Sequence, residues 1–212
     1  MDFEEFAKSV RNLSVIDTES LLTGVSKPES ILVQLSRWQK ARRLIQLRRG
    51  VYLLSDAYRK IEPSEFFLAS VLEKPSYVSL QKALEFHGLI PEAVGIYTCI
   101  TTKRPQRVKT PMGVFDYRHV KTTLFWGYNS VKFGKDIAFI ASPEKALLDL
   151  FYFYSGRITQ EYLSELRLQN IHSLNVRKLF AAARRFKKPK MLVAAKILIE
   201  YVREFKRGIR KV

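Results

Sequence analysis

Across the first fifty-odd residues, apolar positions recur at helical spacing three times and then switch to a strand pattern. Phe3, Phe6, Ala7 and Val10 predict an amphipathic helix over residues 3–11. A second short helix follows Asp17, a good N-cap. Glu19 and Ser20 lie in its first turn, Leu21 and Leu22 supply an apolar face, and Gly24 can end it in the left-handed region. Pro28 suits the first position of a third helix, with Glu29 at the positive end of its dipole. Ile31, Leu35 and Trp38 then repeat at i, i+4, i+7, with Leu32 beside them, and carry this helix to about Lys40 or Ala41. Leu44-Ile45-Gln46-Leu47 reads as a strand, Arg48-Arg49-Gly50 as a turn and Val51-Tyr52-Leu53-Leu54 as a returning strand. Two short helices across a tight turn, followed by a basic-tipped hairpin, predict an N-terminal winged helix-turn-helix.

The middle of the chain predicts an α+β unit with a small antiparallel sheet. Phe66, Phe67, Leu68, Val71 and Leu72 mark a short helix, and Leu80, Ala83, Leu84 and Phe86 a second, ended by His87-Gly88. Strands are expected at residues 96–102, 107–110, 114–119, 123–128 and 136–140, with residues 76–79 leading into a helix. Ser142 and Pro143 open a further helix. Beyond it the chain reads as helical: one helix capped by Thr159, one started by Ser173 or Asn175, and a last one after the break at Lys187-Lys188-Pro189-Lys190. The expected organisation is a winged-helix domain at 1–60 and a second domain at 61–212, made of an α+β core (61–155) and a basic helical tail (156–212).

Charge changes the picture from fold to partner. The 212 residues carry 37 Lys+Arg against 20 Asp+Glu, a net of +17. Residues 176–212 hold 13 basic and 2 acidic residues, so most of the excess lies in the tail. A smaller cluster spans residues 27–49, where Glu29 is the lone acid among seven cations. Clustered positive charge is the footprint of a polyanion binder. If Ile31, Leu35 and Trp38 face inward, Ser30 and Gln34 are expected near base edges in a major groove. Arg37, Lys40, Arg48 and Arg49 are then expected mainly on phosphates, with Lys27 and Arg42 also among the DNA-binding residues. This reading requires the hairpin tip and the third helix to share one exposed surface. In the tail, Arg177, Lys178, Arg184, Arg185, Lys187, Lys188 and Lys190 suit either nucleic-acid backbone or an acidic protein partner, with Arg210 and Lys211 extending the charge.

The chemistry that is missing narrows the classes. His87, His119 and His172 have no ligand spacing and read as caps, turns or partly exposed residues. Cys99 lies in an apolar strand and reads as an inert buried thiol, and one cysteine excludes a disulfide framework. Glu144 and Asp149 point to different sides of their helix. Asp116 with Lys103 lacks the second carboxylate of a nuclease strand. There is no Gly-rich phosphate loop, so no cofactor is expected, and with no ligand spacing among the histidines and a single cysteine no metal is expected. No apolar run approaches the roughly 18–20 residues of a membrane span, and the acidic start is unlike a signal peptide, so the expected location is the cytoplasm. A nuclease or nucleic-acid-modifying enzyme targeted by the winged helix is the alternative, and a protein-docking scaffold a third reading.

Three segments in series carry a resemblance: LIQLRRGVY at 44–52, YVSLQKALEFHGLIP at 77–91 and ASPEKALLDL at 141–150. Together they resemble the antitoxins of abortive-infection (AbiEi-like) type IV toxin–antitoxin systems. The resemblance implies a non-enzymatic DNA-binding autorepressor whose winged helix, here residues 27–40 and 44–52, reads inverted repeats in promoter DNA. It also implies a C-terminal domain that counteracts a cognate nucleotidyltransferase toxin. An inverted repeat needs two copies, as a homodimer or by cooperative binding on DNA.

Overall fold

The computed structural model describes residues 2–209. Helix α1 (Phe3–Val10) begins with a capping box: Asp2 accepts from the Glu5 N–H while Glu5 accepts from the Asp2 N–H. Strand β1 (Ile16–Asp17) runs into α2 (Thr18–Leu21), capped by the Asp17 carboxylate. Helix α3 (Pro28–Lys40) follows, then β2 (Leu44–Arg48) and β3 (Val51–Leu54). The strands form an antiparallel sheet in the order β1-β3-β2. Leu35, Trp38, Leu44, Tyr52 and Leu54 close a small core with Phe3, Phe6, Val10 and Ile16. The Trp38 ring lies 5.4 Å from Phe3 and 4.7 Å from Phe6.

The rest of the chain is built on a second sheet. Its elements are α4 (Glu65–Leu72), β4 (Ser76–Val78), α5 (Leu80–Phe86), β5 (Ile96–Thr101), β6 (Gln106–Thr110), β7 (Gly113–His119), β8 (Tyr128–Phe133) and β9 (Asp136–Ala141). Helices α6 (Pro143–Phe153), α7 (Gln160–Glu165), α8 (Val176–Arg185) and α9 (Pro189–Ile209) complete the described chain. The fold is therefore mixed α+β, but the expected small antiparallel sheet is corrected. It has six strands in the order β6-β7-β5-β4-β9-β8 and is mixed, with β4–β9 and β5–β7 parallel. Two non-sequential pairings cause this: the three-residue β4 pairs in parallel with the distant β9, and β5 pairs in parallel with β7 rather than with the next strand, β6. The expected strand at 123–128 is also corrected. Residues 122–124 form a short 3-10 helix and Gly127 takes φ +79°, which a strand cannot use, so the ladder starts at Tyr128.

The expected basic tail is not an appendage. Leu163, Leu179, Ala183, Phe186, Met191, Leu198 and Val202 belong to the same large core as the sheet. Arg210 and Lys211 lie outside the described residues. Among the described residues no helix is long and apolar enough to cross a membrane.

The β2–β3 hairpin joins the two cores. Leu44, Tyr52 and Leu54 face the small one, whereas Leu47, Val51 and Leu53 belong to the large one. A register shift between Gln46 and Arg48 marks a bulge at the Leu47 position. Polar braces reinforce the junction: Ser14 Oγ donates to Asp136 at 2.5 Å, Lys74 pairs with Asp17 at 2.6 Å, and Arg48 pairs with Glu73 at 3.2 Å.

Candidate nucleic-acid interface

Helix α3 carries the exposed basic surface. Leu35 and Trp38 anchor it inward, with Ile31 packed at the edge of the same core. At 100° per residue the opposite strip runs through Glu29, Val33, Ser36, Arg37 and Lys40, all exposed. Lys27, at the N-cap, is exposed, as are Arg42 and Arg43 just past the helix. Arg42 adopts φ +56° as the chain reverses into β2. Arg43 lies over the Phe3 ring at 4.9 Å, which steadies its guanidinium at the rim of the small core. None of Lys27, Arg37, Lys40, Arg42, Arg43 or Arg49 meets a carboxylate among the described residues.

The residues expected at base edges divide. Ser30 is exposed, but its hydroxyl donates to the Lys27 carbonyl at 2.9 Å and so helps close the first turn. Gln34 is half-buried on the flank of the helix. The outward strip instead presents Val33, 51% exposed, and Ser36, neither of which the sequence reading selected. Their signal was present: Val33 sits half a turn away from Leu35 and Trp38 on the helical wheel.

The hairpin tip departs most from expectation. Arg49 is exposed, but Arg48 is neutralised by Glu73, a carboxylate only 4% exposed. The same carboxylate also meets Lys103 at 3.1 Å and accepts from the Gln106 amide. The hairpin is thus folded against the large sheet, and Arg48 is corrected from a phosphate contact to a clamp. The reason is legible afterwards. Val51-Tyr52-Leu53-Leu54 is an unbroken apolar run, which a strand with one wet face would not carry.

The tail cations are exposed, and several rest on aromatic rings rather than on carboxylates. Arg185 lies 4.0 Å from the Trp126 centroid, Lys188 4.4 Å from Tyr152, and Arg184 5.6 Å from Phe180. Lys190 donates to the Tyr154 carbonyl. Arg185, Lys187 and Lys188 face Lys121 across a recess that includes Tyr152 and Phe186. Arg177 and Arg184 line a separate groove between α8 and α9, and Lys178 is exposed near the start of α8. The seven tail residues therefore do not form one patch.

One buried polar cluster escaped sequence reading. Lys145 and Asp149, one turn apart on α6, form an ion pair with side chains 1% and 0% exposed. Tyr77 and Ser79 donate to the second carboxylate oxygen at 3.1 and 2.8 Å, and Lys145 donates to Tyr77 at 2.8 Å. Burial pushes the Asp149 carboxyl up, opposed by Lys145 and the two hydroxyl donors. Burial likewise pulls the Lys145 ammonium down, opposed by Asp149. Fully enclosed, the cluster is a structural network.

The other chemistry-bearing residues are engaged. Asp116 pairs with Arg107 and Arg118, and Glu144, 7% exposed, accepts from the Asn175 N–H at 2.9 Å. His87 caps α5 and meets the Ala141 carbonyl at 2.8 Å. Cys99 is buried, and burial pushes its thiol well up. Among the described residues no group of three or more His, Cys, Asp or Glu is arranged to hold a metal ion. No protein-family model matches the chain, and no curated protein matches it.

Proposed function

We propose that the chain is a sequence-specific DNA-binding regulator that reads duplex DNA with α3. The observation that carries this is the solvent face of α3, where Arg37, Lys40 and the following Arg42 are exposed, with no carboxylate partner among the described residues, beside the small side chains Val33 and Ser36. Small side chains let a helix enter a major groove about 12 Å wide, and flanking cations neutralise phosphates. The hairpin tip does not supply the shared exposed basic surface that the sequence expectation requires, because Arg48 is held by Glu73 and the hairpin packs on the large core, so this reading rests on α3, with Arg49 the exposed cation left at the tip. Val33 suits a thymine methyl and Ser36 either base edge. Inverted repeats in the operon's own promoter, autorepression and antagonism of a nucleotidyltransferase toxin by the rest of the chain complete the antitoxin reading that the resemblance suggests.

The test is a mobility-shift titration with promoter DNA across a range of salt. Arg37→Ala with Lys40→Ala should weaken binding at every sequence and reduce the log–log salt slope by about 1.8, at about 0.9 per phosphate. Specific binding that is absent, or unchanged in the double variant, overturns the reading. The exposed Leu32 and Val33 side chains favour protein docking by the same face as the second reading. That reading gains if the mobility shift is absent.

A further inference from the structure

The groove between α8 and α9 has the composition of a peptide-binding cleft. Val176, Phe180 and Ala181 on α8 and Ile199 on α9 supply an apolar floor inside a cleft of about 590 Å³. Arg177 and Arg184 edge it from α8, and Lys196 and Arg203 from α9, with Glu200 the single acid. The spacing makes this one continuous feature. Residues 176, 180 and 184 recur every turn of α8, and 196, 199 and 203 recur every turn of α9. With ten residues, α8 offers a track of about 15 Å, the length of nearly three helical turns. At its middle the small side chain of Ala181 is exposed and lets another backbone approach.

We infer that this groove docks an acidic amphipathic helix of a protein partner. Charge complementarity selects the occupant. A helix laying an apolar face on the part-exposed Val176 and Phe180, over the buried Ile199, brings its flanking positions to the four cations, where Asp or Glu completes the pairing. A second copy of this chain offering the same face would set Arg177, Arg184, Lys196 and Arg203 against their own equivalents. Nucleic-acid backbone would leave the apolar floor against hydrated phosphates. Phe180, the one ring in the groove, already carries the Arg184 guanidinium at 5.6 Å.

The test uses the full chain and fluorescence anisotropy at about 0.15 M salt. The probe is a labelled synthetic peptide of about 14 residues with Leu at helical spacing on one face and Glu beside it. Its control is a peptide of the same composition in scrambled order. The ordered peptide should bind at least about tenfold more tightly than the scrambled one. Ala181→Trp fills the floor from an exposed position and should cost the ordered peptide about tenfold, with thermal midpoint and duplex affinity unchanged. Arg184→Glu with Arg203→Glu should weaken the same peptide and serves as the independent variant. Equal affinity for the two peptides overturns the inference, as does an Ala181→Trp variant that binds the ordered peptide normally. An Ala181→Trp variant that loses duplex affinity to the same extent also overturns it and assigns the groove to nucleic acid.

Discussion

At Asp149 a single carboxylate holds a buried ammonium, and its loss has a definite sign. Asp149→Asn keeps one carbonyl oxygen to accept from Ser79 and Tyr77 but turns amide N–H groups toward Lys145, which is left charged and unpaired with its side chain 1% exposed. Breaking a buried pair in this way costs about 3–5 kcal/mol at neutral pH, to be read by denaturant titration. Burial already sets Lys145 below its ordinary 10.5, and the missing carboxylate lowers it further. Between that lowered value and 10.5 the unfolded chain binds more protons than the folded one, so stability rises with pH there. The variant should therefore recover part of its loss as pH climbs toward 10.5, and a loss independent of pH would contradict the assignment. Neighbouring arginines at the hairpin tip separate by the same logic. Arg48→Ala should lower stability by roughly 1 kcal/mol through the Glu73 clamp while leaving the salt slope of DNA binding unchanged. Arg49→Ala should leave stability unchanged and lower the slope by about 0.9.

Among the elements, the β2–β3 hairpin is a two-faced partition and its turn is tightly specified. Gly50 takes φ +84°, and a Cβ there would lie 2.9 Å from Thr18 Oγ1. That hydroxyl and the Thr18 N–H both donate to the Gly50 carbonyl, at 3.1 and 2.8 Å. Gly50→Ala should cost about 1–2 kcal/mol, measured as a lower melting midpoint, because the left-handed conformation and the contact with Thr18 both oppose a side chain. Helix α3 behaves differently. Its outward strip is exposed among the described residues, so Val33→Ser should leave stability within about 0.5 kcal/mol of the parent. Base preference should shift, which a comparison of operator variants by mobility shift would reveal.

As a whole, the molecule is two cores sharing one hairpin. A fragment of residues 1–60 would expose Leu47, Val51 and Leu53 and strip Arg48 and Asp17 of their partners Glu73 and Lys74. It should melt below the full chain, or aggregate, in a thermal scan monitored by circular dichroism. The mixed fold also governs deletions at the other end. Removing α8 and α9 would uncover the side of the large core that holds Leu179, Leu198 and Val202. Point changes at surface cations, rather than truncation, are the way to probe the tail.

The order of the helices, the caps at Asp17, Ser142 and Thr159, the choice of Ser173 or Asn175 at the start of α8, and the inward face of α3 follow from local rules. A capping oxygen and a 3.6-residue repeat act within one or two turns, so sequence by itself determined them. The basic surface on α3 was equally accessible, since exposed charge opposite an apolar stripe needs only the helical period. Tertiary structure alone decided the rest. The three-residue β4 becomes the centre of a sheet because two later strands, β5 and the more distant β9, pair with its two edges. The Lys145–Asp149 pair is buried because Tyr77 and Ser79, some seventy positions away, close over it. Arg48 becomes a clamp because the second face of its hairpin finds a second core. The unbroken apolar run Val51–Leu54 shows that both faces of the hairpin are buried, but which residues cover them, like the partners of β4 and of the Lys145–Asp149 pair, depends on pairing between distant residues that leaves no periodic trace in the local sequence.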